Sequence, residues 1–236
     1  MIAGMPHAAP APAVAPASAP APAGPCLVTG FEPFGGEAIN PSWEIARALH
    51  GQVIGGLPVV AVQLPCVFET SLPALRAAIR RHRPRAVLAL GLAGSRSAIS
   101  LERVALNLTD ARIPDNADAQ PVDQPVIAGA PAAYFTRLPV KALARRLQAA
   151  GLPAELSFSA GSFVCNQVFF GLMHALRRRP GVPAGFIHVP PLPEQAASHP
   201  GSRPLPLDAQ RQGIAELVAA LAEGTVELQT AGGRID

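Results

Sequence analysis

The chain has 236 residues, 49% of them hydrophobic, with 19 lysines and arginines against 16 acidic residues and a formal net charge of +3. That is enough apolar chain for one sizeable core, and no stretch approaches the ~18 uninterrupted apolar residues that a membrane-spanning helix needs. The small positive excess is almost all arginine, Lys141 being the sole lysine, and it lacks the interleaved aromatic residues of a nucleic-acid-binding surface, so neither membrane nor nucleic acid is an expected partner.

Residues 1–24 are dominated by Ala and Pro. Proline at nearly every second or third position prevents the apolar helical segment of an export signal, so this stretch reads as a flexible, partly polyproline-like tail ahead of a folded domain over 25–236. From there, short and almost wholly apolar runs, the expected strands, alternate with helical patterns. The runs are CLVTG (26–30), PVVAVQL (58–64), AVLALGL (86–92), LSFSA (156–160) and GFIHV (185–189). Continuous apolarity suits strands covered on both faces. Helices are expected near 41–50, 70–82, 139–150, 163–179 and 207–223, and the alternation predicts a layered α/β fold.

Two stretches stand apart. ISLERVALNLTD (99–110) alternates like a half-buried strand, with Val104, Leu106 and Leu108 on one face, and parity places Glu102 on that apolar face. A carboxylate there is costly without a partner. Residues 111–137 hold too many Pro, Asn, Asp and Gly residues for a long regular element, and a loop of that length usually has a function.

The three cysteines, Cys26, Cys66 and Cys165, are widely spaced and form no CxxC pair. Neither a zinc site nor a disulfide framework follows, and a reducing cytoplasm fits best. Cys66, after Pro65 at a strand end, reads first as a buried structural thiol, though that position also permits it to line a pocket. Cys165 is different: with Ser162 as the expected cap, it falls in the first turn of a helix, where unpaired N–H groups and the helix dipole favour a thiolate. Among the six histidines only His188 ends an apolar strand, where open α/β sheets carry their sites. Space-filling thiol and satisfied structural histidine are the bland readings. Against them, Cys165, His188 and Glu102 together supply a nucleophile, a base and an orienting carboxylate.

The stretch VTGFEPFGGEAINPSWEIARAL (28–49), followed in order by LERVALN, ARIPDN, PAAYF, AGSFVCNQVFFGLMH and GFIHVPPLPEQ, resembles the pyroglutamyl peptidase I (pyrrolidone-carboxylate peptidase) family of cysteine peptidases over roughly residues 26–197. The resemblance implies a catalytic trio at Glu102, Cys165 and His188. It further implies a three-layer α/β/α sandwich with a twisted mixed sheet in a single domain, no metal or organic cofactor, a cytoplasmic location and a homotetramer. The implied reaction removes an N-terminal pyroglutamyl residue from a peptide through a thioester acyl-enzyme. The matching pocket residues are Phe31, Phe34, Asn40, Arg112, Ile113, Phe163 and Val164. Asn40 reads equally as a plain helix cap, and Arg112 as an oxyanion donor beside the Cys165 N–H or as half of a surface salt bridge.

The chain departs from the family at one pocket position. Where the family commonly reads GQAGGR this chain reads GLAGSR, so Leu92 replaces a glutamine implicated in hydrogen bonding the lactam. The alternative functions are therefore a weakened or altered-specificity homologue that binds a small cyclic amide and, from the glycine-rich GFEPFGG loop, a nucleotide-binding module. The last lacks both the G-K-[ST] ending and the G-x-G-x-x-G spacing.

Overall fold

The computed structural model describes residues 24–233. The expected tail therefore lies outside the described residues, apart from Gly24. In chain order the elements are β1 (Cys26–Phe31), α1 (Pro41–Leu49), β2 (Val53–Ile54), β3 (Leu57–Leu64), α2 (Phe68–His82), β4 (Ala86–Leu92), β5 (Ile99–Glu102), β6 (Val104–Leu106), β7 (Ala133–Phe135), α3 (Val140–Ala149), β8 (Ala154–Ser157), α4 (Val164–Ala175), β9 (Ala184–Val189) and α5 (Leu207–Ala222).

Seven strands form one sheet in the order β2-β3-β1-β4-β9-β5-β8. Strands β3, β1, β4 and β9 are parallel neighbours, whereas β5 runs antiparallel to β9 and parallel to β8. Because strand side chains alternate, the sheet feeds two cores. Cys26, Val28, Leu88, Leu90, Ile187 and Val189 pack with Ile45, Leu143 and Leu217 of α1, α3 and α5. Leu27, Phe31, Val87, Ala89 and Phe186 pack with Leu72, Leu75, Phe169 and Phe170 of α2 and α4. The result is an α/β/α sandwich with a mixed sheet. Burying a side chain of this size contributes roughly 1.5–3 kcal/mol, so each core far outweighs any single surface contact.

Helix α4 has nine of its twelve residues buried, so packing fixes it nearly all round. The expected cap at Ser162 is not there. Phe163 is the cap residue and makes no side-chain cap bond, because the Ser162 hydroxyl donates instead to the Asp110 carbonyl at 2.7 Å. Helix α1 starts as its sequence suggests: Asn40 Oδ1 accepts from the Ser42 N–H at 3.1 Å, with proline following the cap.

The alternating stretch 99–110 is not one strand. The Arg103 N–H donates to the Ser157 carbonyl on β8's side (2.8 Å), while its carbonyl accepts from the Thr136 N–H beside β7 (2.9 Å). The chain thus changes partners at Arg103, leaving the large sheet for a two-stranded ribbon of β6 and β7. Parity does not carry through the change. Glu102 does not share a face with Val104 and Leu106, and Ala105 is the buried member of β6. Strand β8 also begins earlier than expected, since Ala154–Ser157 pair with Ile99–Glu102 and leave Phe158 44% exposed.

Candidate active site

His188 is the penultimate residue of β9, and Ser100 of β5 lies opposite it. Ile99 and Leu101 face the α1/α3/α5 core, so Ser100 and Glu102 face the other layer, the side that holds Phe186. His188 Nδ1 lies 2.8 Å from Glu102 Oε1, and the carboxylate is fully buried. An ionised carboxylate only accepts, so the proton belongs on Nδ1 and the lone pair on Nε2. Phe186 meets the imidazole edge-on at 4.9 Å, restricting its rotation. Glu102 Oε2 has no hydrogen-bond partner among the described residues, and Arg96 Nη2 stands 3.7 Å from Oε1.

Cys165 is the second residue of α4. The helix's bonding begins with the Gln167 N–H donating to the Phe163 carbonyl (3.1 Å), so the N–H of Cys165 precedes the ladder. Asn166 ties this turn to the ribbon. Its Nδ2 donates to the carbonyls of Leu106 and Leu108, and its Oδ1 accepts from the Leu106 N–H, each at 2.9 Å. Sulfur and imidazole meet the sheet at the same place: an added Cβ on Gly91 would lie 2.8 Å from Cys165 Sγ, and Gly91 is the register partner of His188.

The helix start does not make Cys165 a resting thiolate. Enclosure of the sulfur raises its pKa well above the ordinary thiol range, with the nearby Cys66 thiol and Glu102 carboxylate adding to the effect. The residue as a whole is partly exposed; its sulfur faces inward toward Gly91. Burial, then Glu32 and Asp115, likewise push the Cys66 thiol up to about 12.

Beside the sulfur is an enclosed cavity of about 80 Å³ whose walls include Phe31, Phe34, Asn40, Leu92 and Phe163. Phe163 is held by Phe34 (centroids 5.2 Å apart) and by the edge of Phe68 (5.0 Å). Cys66, buried as expected, also lines this cavity, the alternative that its strand-end position left open, and Glu37 and Ile39 complete a wall that the sequence did not signal. Asn40 is committed to the protein: besides capping α1, its Nδ2 donates to the Glu32 carbonyl at 3.0 Å. Val164 is fully buried and is not among the cavity-lining residues. Arg112 and Ile113 do not line the small cavity either. They border an adjoining cleft of about 540 Å³ that shares Phe34, Glu37 and Leu92 with it. At the cleft mouth Glu37 Oε2 accepts from Gln195 Nε2 (3.1 Å), and Glu37 Oε1 lies 3.1 Å from His199 Nε2 at an angle too poor for a hydrogen bond.

Asn116 draws the long loop onto this site. Its Nδ2 donates to Glu32 Oε1 (2.9 Å) and to the Pro33 carbonyl (3.0 Å), and Glu32 Oε1 also accepts from the Cys66 N–H (3.0 Å). Arg96, Asn166 and Asn116 all went unsignalled by the sequence, since their partners lie far away along the chain.

The sequence pattern of the pyroglutamyl peptidase family matches residues 25–223. The pyrrolidone-carboxylate peptidase of Klebsiella pneumoniae (strain 342) is 50% identical over 207 residues, covering 88% of this chain and 97% of that protein. The one from Gloeobacter violaceus is 56% identical over 195 residues, with coverages of 83% and 95%. Among solved structures, pyroglutamyl peptidase I of Bacillus amyloliquefaciens superposes with a TM-score of 0.84 at 42% identity, over 87% of this chain and all of that one. Pyrrolidone carboxyl peptidase of Thermococcus litoralis gives 0.82 at 35% identity, over 89% and 100%.

Proposed function

The chain belongs to the pyroglutamyl peptidase family, and from that premise we propose how its residues remove an N-terminal pyroglutamyl residue. It is a hydrolase of the cysteine-peptidase class, acting on the amide bond that follows the lactam ring. Cys165 is the nucleophile, His188 the general base and acid, and Glu102 the carboxylate that fixes the imidazole.

Burial raises the Cys165 thiol above its ordinary range, so His188 is needed to draw the proton from sulfur as the attack proceeds. Sγ adds to the acyl carbon as its proton passes to Nε2 of His188, while Glu102 at 2.8 Å supports the positive charge that develops on the ring. The Cys165 N–H, free of the helix ladder, is the donor for the oxyanion, a contribution of ~3 kcal/mol. His188 then protonates the departing amine, leaving a thioester. Water attacks the thioester with the same histidine as base, the C–S bond breaks as His188 returns the proton to sulfur, and the lactam acid leaves.

The aromatic cavity takes the flat, uncharged ring, and the peptide leaves through the cleft bordered by Arg112 and Ile113. Leu92 stands at the junction, offering no side-chain hydrogen bond to the lactam. A cytoplasmic location agrees with the three free cysteines, and no helix among the described residues is long and apolar enough to cross a membrane. A homo-oligomer, a tetramer by family resemblance, completes the proposal.

The observation that carries this reading is a small cavity walled by aromatic rings with Cys165 in its lining. Release of a fluorescent amine from a pyroglutamyl amide by the full chain, measured beside Cys165→Ala, tests it. The wild type is expected to turn over and the variant to be inactive; equal rates would overturn the assignment.

A further inference from the structure

Glu102 presents a problem that the His188 bond does not solve. A fully buried carboxylate needs either several donors or a nearby cation, and a neutral imidazole supplies a single N–H. Its second oxygen, Oε2, has no hydrogen-bond partner among the described residues. The compensating charge comes from a residue that lines neither the cavity nor the adjoining cleft. The Arg96 guanidinium, in the turn after β4, lies 3.7 Å from Oε1, too far for a hydrogen bond but close for Coulomb attraction across a buried site.

The guanidinium is not there by chance of a floppy side chain. Arg96 Nη2 donates to Ser157 Oγ (2.7 Å) and to the Ser159 carbonyl (3.3 Å), and Nη1 donates to Glu155 Oε1 (3.2 Å). Glu155 is held in turn by the Ser100 hydroxyl at 2.8 Å, and Ser100 is the strand neighbour of His188. The side chain is only 24% exposed, so water screens it weakly. The other groups facing the pair are His188 from β9, Glu155 from β8 and the Cys165 thiol from α4; Arg103, next along the chain, turns away to lie over the Phe158 ring.

Resting on the catalytic reading above, we propose that Arg96 is a positioning residue whose charge, clamped by Glu155, Ser157 and the Ser159 carbonyl, balances Glu102 and thereby holds His188 ready as a base. Arg96 touches neither substrate nor sulfur in this role. It acts through the carboxylate. Removing a positive charge beside the Glu102–His188 pair makes it easier to protonate, and a protonated imidazole cannot take the thiol proton. The low-pH limb of the kcat/KM profile therefore reports the charge directly.

The test uses the full chain with a fluorogenic pyroglutamyl amide, comparing wild type, Arg96→Gln, Arg96→Lys and Glu155→Gln from pH 5 to 9, with thermal melts alongside. In Arg96→Gln the low-pH limb should move to higher pH by roughly 0.5 to 1 unit. Below the limb the activity should therefore fall by about threefold to tenfold, the size of that shift, and KM should change less than about twofold. Arg96→Lys, which keeps the charge, should hold the limb near the wild-type position. Glu155→Gln removes a negative charge from the same cluster and should move the limb the other way, toward lower pH, which keeps the idea testable if Arg96→Gln does not fold. A limb that stays put in Arg96→Gln and Glu155→Gln while the melting temperature falls would reduce Arg96 to a structural brace and overturn the inference. An active wild type with an inactive Cys165→Ala leaves the catalytic reading intact in that event; equal rates in those two proteins would remove the premise instead.

Discussion

Sulfur, aromatic ring and imidazole strand all approach Gly91, and a single methyl group there tests the geometry of the site. An added Cβ would lie 2.8 Å from Cys165 Sγ, 2.8 Å from Phe186 Cζ and 3.0 Å from Phe186 Cε1, whereas ordinary contacts begin at 3.4 Å. Something must retreat by about 0.6 Å. The neighbours can hardly give way, since Phe186 is fully buried and α4 is packed on nearly every side. Overpacking of this kind costs about 1–3 kcal/mol, which for a chain of this size lowers the melting temperature by roughly 2–12 °C. The catalytic loss should be larger than the stability loss suggests, because a displacement approaching 1 Å at a reacting atom costs on the order of a hundredfold in rate. Gly91→Ala is therefore expected to lose about two decades of kcat/KM on a pyroglutamyl amide while remaining folded at 25 °C. Leu143→Ala is the control. It empties a fully buried site in the opposite layer, costs about 2–5 kcal/mol, and should leave kcat/KM within about twofold. Full activity in Gly91→Ala, or an equal loss in the control, would refute the placement of the sulfur against this strand.

Two further outcomes follow from the cavity and the loop. Leu92→Gln should raise kcat/KM on pyroglutamyl amides by restoring a hydrogen bond typically worth ~0.5–1.5 kcal/mol; no change or a loss would mean that backbone groups already serve the lactam. Asp115 is buried, which alone would raise its pKa, but N–H donors from Phe68 (2.7 Å), Ala119 (3.0 Å) and Ala117 (2.8 Å) prevail and hold it below the ordinary carboxylate range. A lowered folded-state value means that the stabilisation is complete above about pH 5 and is lost as pH falls through that value. Asp115→Asn should thus cost about 1–3 kcal/mol at pH 7 and less and less below about pH 4; a melting-temperature difference that stays constant down to pH 3 would contradict this.

The elements that the sequence made plain are those whose environment is uniform. Strand β4, covered on both faces, is apolar throughout and spans 86–92 as expected. Each helix start falls within about two residues of its pattern, because the apolar faces of α1, α2, α3 and α5 match their single packed side. What misled was a stretch serving two partners. Residues 99–106 pass for a single alternating strand, but their apolar positions slip from odd (Ile99, Leu101) to even (Val104, Leu106) across the polar pair Glu102-Arg103, where the chain passes from one sheet to another, and the exchange depends on carbonyls and amides more than 30 residues away. Glu102, Cys165 and His188 stand out in the sequence because each sits oddly for its surroundings. Arg96, Asn166 and Asp115 were not, because a polar residue in a turn, a helix or a loop looks ordinary until the distant atoms that it serves are known. Val164 shows the converse: the family resemblance implied a pocket role, but on a helix the residue next to Cys165 points elsewhere, and Val164 is buried outside the cavity lining.

The reach of Asp115 also bears on engineering. Helix α2 has no side-chain cap of its own at Val67, and the acceptor for its first N–H arrives from a residue 47 positions onward. The irregular segment between β6 and β7 invites the splicing of a tag, but an insert near residues 115–119 would unfasten a helix that lies far upstream in the chain.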